Sequence, residues 1–270
     1  MIKNLRITLA QSSLYWEQPI KNLNQFSKQL SALKRKETDV IVLPEMFNTG
    51  FSMNAAALAE KPGGLTMQWM AEVAHGLNTA VCGSLIITEK NKFYNRFIWM
   101  NVDGSFEQYD KRHLFRMGKE DAVFTAGTES VIIHYKGWNI CPLVCYDLRF
   151  PVWSRNQVQS SSSKVQSFDY DVLLYVANWP TVRSYPWKQL LIARAIENQS
   201  YVAGVNRIGK DGNGMEHSGD SVILNPLGQP VSNFKSNKKQ IETVELSYRE
   251  LEKLRSAFPV MMDADSFKMI

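Results

Sequence analysis

The chain has 270 residues, 44% of them hydrophobic and 21% charged, with a net charge of +5; this is the balance of a globular protein with room for one large core. Lysines and arginines are scattered apart from Lys235, Lys238 and Lys239, and no basic stripe or recognition motif stands out, so nucleic-acid binding has little support. No run approaches the roughly 18 apolar residues that a membrane-spanning helix needs.

The N-terminal MIKNLRITLAQSS has Lys3 and Arg6 interrupting a short apolar run, which argues against a signal peptide, and Leu5, Ile7 and Leu9 alternate as a strand. Ile20, Leu23, Phe26, Leu30 and Leu33 then recur at helical spacing. DVIVLPE is a buried-strand run ended by Pro44, and TAVCGSLII is another. FYNRFIWMNVDGSFEQYDK reads as a hairpin turning at Asp103-Gly104. NICPLVCYD and DVLLYVANWP are further apolar strands, and the serine-rich QVQSSSSKVQS between them reads as a surface loop. Pro186 suits the first turn of a helix through WKQLLIARAIENQ. YVAGVNRIG follows as a strand, and DSVILNPLGQPVSNF as a hairpin turning at Asn225–Gly228. Ser247 and Glu250 form a capping box for a last helix that ends near Phe258-Pro259. Strand runs separated by helices, with no repeat and no linker, indicate a single α/β domain over 1–270.

Three cysteines without a Cys-x-x-Cys spacing do not make a disulfide framework, and free thiols point to the cytoplasm. The four histidines are dispersed and fit no zinc spacing. Gly209, Gly212 and Gly214 do not fit a phosphate loop, and Asp211–Gly214 reads as turn chemistry. Arg194 and Glu197 stand at i, i+3 as a structural pair.

Several apolar runs finish in a polar residue, and in open α/β sheets ligands collect where strands end. These residues are Glu45, Lys111, Cys145, and Asn178 with Trp179. Taken singly each has an ordinary structural reading, since free cysteine is among the most buried residue types. Together they supply an acid/base, a cation and a nucleophile. His113, two residues from Lys111, leaves a Cys145–His113 dyad open as an alternative. Asp147 and Arg149 are placed to brace the turn that holds Cys145.

LPEMFNTGF around Glu45, YDKRHLF around Lys111 and LVCYDLRFPVWSRN around Cys145 resemble the three signature segments of the nitrilase superfamily, the carbon–nitrogen hydrolases, in order and in spacing. RHLFRMGKE, YVANWPTVRSYPW and LLIARAIENQSYVAGVNRIGKDGNG look like its bacterial omega-amidase branch. Relative to that branch the segment 157–167 looks like an insertion near the site.

The resemblance implies a four-layer α-β-β-α sandwich, usually dimeric through a helical layer, with the tail 259–270 either crossing the interface or folding back. It implies a Glu45–Lys111–Cys145 site supported by Glu120, with Lys111 and the Tyr146 backbone N–H holding an oxyanion, and neither metal nor cofactor. Free thiol is only about 3% ionised at pH 7; Glu45 takes its proton, and Lys111 is expected to stabilise the resulting thiolate. The implied substrate is a short ω-amide of an α-keto dicarboxylate, hydrolysed through a thioester. Arg116 or Arg183 would hold its carboxylate, Asn178 would contact it, and Phe51, Trp179 and Trp187 would wall the pocket. A carbamoyl or aliphatic amide, and an inert interaction protein on the same fold, are the alternatives.

Overall fold

The computed structural model describes residues 2–160 and 166–265. The strands, in chain order, are β1 (Leu5–Gln11), β2 (Val40–Val42), β3 (Ala80–Glu89), β4 (Lys92–Met100), β5 (Phe106–Asp110), β6 (Ile133–Tyr135), β7 (Trp138–Val144), β8 (Val158–Ser160), β9 (Gln166–Phe168), β10 (Val172–Ala177), β11 (Tyr201–Asn206), β12 (Ile208–Lys210), β13 (Glu216–Ser218), β14 (Val222–Leu224) and β15 (Gln240–Leu246). The helices are α1 (Pro19–Leu30), α2 (Ala55–Leu58), α3 (Leu65–Leu77), α4 (Ser184–Asn198) and α5 (Tyr248–Ala257). No described helix is long and apolar enough to cross a membrane.

Two mixed sheets carry the fold, one in the order β15-β1-β2-β3-β4-β5 and one in the order β14-β11-β10-β7-β6. The period-2 alternation of side chains decides what lies between them. Leu5, Ile7, Leu9, Val40, Val42, Phe97 and Trp99 share one core with residues of β7, β10 and β11, so these faces of the two sheets meet. The intervening residues Ala10, Ile41, Val81, Leu85 and Ile98 point the other way, under Leu23, Phe26 and Leu30 of α1 and Met67, Met70 and Ala74 of α3. Each such large side chain contributes about 1.5–3 kcal/mol on burial. On the far side of the second sheet, Trp187, Leu191 and Ala195 of α4 join the same core. Helix, sheet, sheet and helix thus stack in four layers, as the resemblance implied.

Several boundaries differ from the sequence reading. Helix α3 was not anticipated, although Met67, Met70 and Ala74 are buried at helical spacing; Asn78 closes it at φ 55. Helix α4 starts at Ser184, so Pro186 sits within its first turn rather than opening it; the proline is harmless there because the first amides of a helix have no intrahelical acceptor. The Asn225–Gly228 turn forms, with Gly228 N–H donating to Asn225 O at 2.9 Å. The arm beyond it makes only a single bridge at Pro230, since proline has no N–H for a ladder. Strand β15, unanticipated, crosses instead to pair antiparallel along all of β1. Ser247 caps α5, its Oγ accepting from Glu250 N at 3.3 Å.

The segment expected to be a loop is an antiparallel ribbon of β8 and β9, while 161–165 lie outside the described residues. The strand β9 leads into β10, whose six residues stand between it and Asn178, and Phe168 packs under the Arg255 guanidinium, 3.7 Å from its ring centroid. In the tail Met261 is buried while 262–265 are exposed, and just before it Gln199 Nε2 donates to Phe258 O at 2.7 Å. Residues 266–270 lie outside the described residues.

Candidate active site

Strand ends from both sheets meet at one edge of the sandwich. Beyond β2, Pro44 stops the ladder and Met46 turns at φ 42, anchored by its N–H on Ser84 Oγ at 2.9 Å; Glu45 between them is fully buried. Lys111 follows β5, and its side chain is fully buried as well. Strand β7 ends at Val144, where the chain enters a short 3₁₀ turn over Cys145–Arg149, with Cys145 left-handed at φ 46. A non-glycine residue in that region stores strain on the order of 1–3 kcal/mol, so its surroundings must hold it.

Asp147 supplies that hold. Its buried carboxylate accepts from Val144 N at 3.0 Å, Tyr109 Oη at 2.8 Å, and His113 N and Nδ1 at 2.9 and 2.8 Å. One side chain therefore ties the cysteine turn to the segment that carries Lys111. His113, stacked 3.7 Å from Phe150 and bonded to Asp147, does not line the cavity, which removes the Cys145–His113 dyad. Arg149 does not brace the turn: it lines the cavity with its guanidinium over Trp179, 5.0 Å from the ring centroid.

Lys111 Nζ donates to Glu45 Oε1 at 2.9 Å and to Glu120 Oε1 and Oε2 at 3.1 and 2.9 Å. Asn95 Nδ2, from β4, donates to the same Oε1 atoms of Glu45 and Glu120 at 2.8 and 2.9 Å. Phe115 N–H completes Glu120 at 2.6 Å, and Asn178 N–H reaches Glu45 Oε2 at 2.8 Å. The Asn178 side chain also bonds the Glu45 carbonyl. Asn95 was missed in the sequence because a polar residue inside an alternating strand ordinarily faces solvent.

Burial works against the Lys111 ammonium, but Glu120 and Glu45 outweigh it and hold its pKa above the ordinary value. Burial pushes the Glu120 carboxyl up, the charge of Glu45 adding to this and that of Lys111 opposing it. Burial and then Glu45 push the Cys145 thiol well above its usual range, with Lys111 opposing. The lysine thus favours the thiolate, as the resemblance implied, while burial and Glu45 favour the thiol.

These groups open into a cavity of about 420 Å³. Glu45, Lys111, Cys145, Tyr146, Asn178 and Arg183 line it, together with Phe51 and Trp179 from the expected wall. Lys111 Nζ lies 5.3 Å from the Phe51 ring centroid. Arg116 does not reach the cavity: its side chain is 88% exposed and faces Asp121 at 3.8 Å. Trp187 is wholly buried against Trp179, donating to Asp220 O, and is core rather than wall. The β12–β13 hairpin, read in the sequence only as turn chemistry, brings Asp211, Asn213, Met215 and His217 to the opposite wall. Burial lowers the His217 pKa to about 4, so the ring is neutral. Lys119, Arg149 and Arg183 give the cavity three cations that make no ion pair among the described residues. No group of three or more metal-ligating side chains occurs among the described residues. Such a site presents a nucleophile, a base and an anion-stabilising ammonium to a small, negatively charged acyl compound.

The carbon-nitrogen hydrolase family model matches residues 6–256. The chain is 45% identical over 267 residues to the omega-amidase YafV of Escherichia coli strain K12, covering 98% of both chains. It is 31% identical over 261 residues to a 2-oxoglutaramate amidase of Bacillus subtilis, covering 95% of this chain and 96% of that one. A CN-hydrolase superfamily protein from Xanthomonas campestris, solved with an arsenic adduct in its active site, superposes with a TM-score of 0.94 at 42% identity, covering 99% of this chain and 100% of that one.

Proposed function

The chain belongs to the carbon-nitrogen hydrolase family, and on that premise we propose that it is an omega-amidase: a cysteine-dependent hydrolase converting a short ω-amide of an α-keto dicarboxylate, of the 2-oxoglutaramate type, to the acid and ammonia. The observation that carries this reading is the meeting of Glu45, Lys111 and Cys145 at the floor of one cavity. On this reading the roles are as follows.

Glu45, beside the thiol, is the base. As the amide carbon approaches, the proton passes from Cys145 Sγ to a Glu45 oxygen while the sulfur forms its bond to carbon. Negative charge moves to the amide oxygen, where the Lys111 ammonium and the Tyr146 N–H receive it. Tyr146 N lies in the first turn of the 3₁₀ segment, where backbone donors lack intrahelical acceptors. Collapse breaks the C–N bond, and Glu45 returns the proton to the leaving nitrogen, which departs as ammonia. The acyl group is then a thioester on Cys145. Water, deprotonated by Glu45, attacks it; the acid leaves and the thiol regains its proton. Glu120 keeps Lys111 charged and aimed throughout.

Arg149 and Arg183 supply the cations for the distal carboxylate, and a guanidinium suits that group because it donates two parallel hydrogen bonds. The outer layer is also read as a dimer contact: Ile196, Phe258 and Met262 are exposed there, and mass measurement in solution tests it. The free thiols Cys82, Cys141 and Cys145 fit a reducing, cytoplasmic setting. Steady-state assays of 2-oxoglutaramate against glutamine, a nitrile and an N-carbamoyl amine test the substrate assignment. A clear preference in kcat/KM for the keto-acid amide is expected; its absence ends the assignment.

A further inference from the structure

We propose that Asn95 is a positioning residue: by giving one hydrogen of a single amide nitrogen to each of Glu45 and Glu120, it sets their protonation as a unit and so fixes the pH at which the base operates. The inference rests on the reading of Glu45 as the base.

Asparagine is a poor strand former, yet Asn95 stands in the middle of β4 and is fully buried. Its Nδ2 lies 2.8 Å from Glu45 Oε1 and 2.9 Å from Glu120 Oε1. Its Oδ1 is buried with no partner among the described residues. That imbalance fixes the orientation of the amide, because the reverse placement would set a carbonyl oxygen against two carboxylates. An unsatisfied buried acceptor is unfavourable, so the pair of donated bonds is what the position retains.

The other groups facing this pair are few. Lys111 comes from the end of β5, Cys145 from the turn after β7, the Asn178 N–H from the end of β10, and the Phe115 N–H from the loop before Glu120. Among the described residues Asn95 alone contributes an uncharged side-chain donor to both carboxylates. Without it each loses one hydrogen bond to its ionised form and binds a proton more tightly. Two carboxylates this close titrate together, with apparent values that belong to the pair. A proton on either one lowers the basicity left at Glu45, whether by occupying it or by removing the neighbouring charge that raises it.

The test is the pH dependence of kcat/KM for 2-oxoglutaramate in the full-length protein and in Asn95→Leu and Asn95→Ser. The acid limb should move up by about one pH unit in the leucine variant and by less in the serine variant, whose hydroxyl serves one carboxylate at a time. Activity on the high-pH plateau should return to within about tenfold of the unsubstituted protein. A uniform drop at every pH with the limb unmoved, or failure of both variants to fold by circular dichroism, marks Asn95 as structural only and overturns the proposal. An unsubstituted protein without amide hydrolysis brings down the functional reading, and this inference with it. A limb present there but unmoved in the variants brings down this inference alone.

Discussion

Replacing Lys111 with methionine exposes the charge arrangement to a direct thermodynamic test. Its Nζ lies 2.9 Å from oxygens of both Glu45 and Glu120, and all three side chains are fully buried. At an effective dielectric of about 20 each contact represents an attraction on the order of 6 kcal/mol. Methionine keeps much of the volume but leaves two adjacent buried carboxylates, which cannot both stay ionised, so one takes up a proton. Holding a proton at pH 7 on a group of ordinary pKa about 4.3 costs about 3.7 kcal/mol, or about 1.4 kcal/mol per pH unit above that value. The figure lies within the roughly 3–5 kcal/mol expected when a buried pair loses one partner. Because the raised pKa belongs to the folded state, the folded variant binds more protons than its unfolded chain, and its stability rises as pH falls towards about 4.3. Urea denaturation should therefore find Lys111→Met less stable than the unsubstituted protein by about 4 kcal/mol at pH 7 and about 1 kcal/mol at pH 5. An equal loss at both pH values, or less than about 1 kcal/mol at pH 7, refutes the reasoning.

Glu45→Gln should separate thiol ionisation from catalysis. With the carboxylate gone, the Cys145 titration, followed by thiolate absorbance, should move to lower pH because that charge holds the thiol up, while turnover falls by about 10² or more; a titration that stays put or rises contradicts the electrostatics. Among the arginines, Arg149→Gln should raise KM for 2-oxoglutaramate by about 10-fold or more, and Arg116→Gln, exposed outside the cavity, should leave it unchanged. Equal effects from the two would remove Arg149 from the carboxylate site.

What the sequence disclosed was governed by where chemistry stands relative to hydrophobic periodicity. Glu45, Lys111 and Cys145 interrupt or follow apolar runs, so each was visible as a polar residue at a strand end. The α/β class was visible for the same reason, since Leu5, Ile7 and Leu9 alternate with residues of the opposite face, whereas the four layers came from the family resemblance alone. Asn95 was hidden because its polarity falls in phase with an alternating strand, where facing solvent and facing a buried ion cluster look alike. Of the two arginines expected, Arg183 lines the cavity and Arg116 does not; Arg116 and Arg149 are both near signature residues, and only the path of the 3₁₀ turns decides that one faces out and the other in.

The account stands or falls on a covalent bond to Cys145. Mass spectrometry of protein quenched by denaturant while turning over 2-oxoglutaramate should find the acyl group on the peptide containing Cys145. In the folded Cys145→Ala variant the adduct and the turnover should both be absent. Turnover that persists in that variant, or an acyl group on any other residue, contradicts the mechanism.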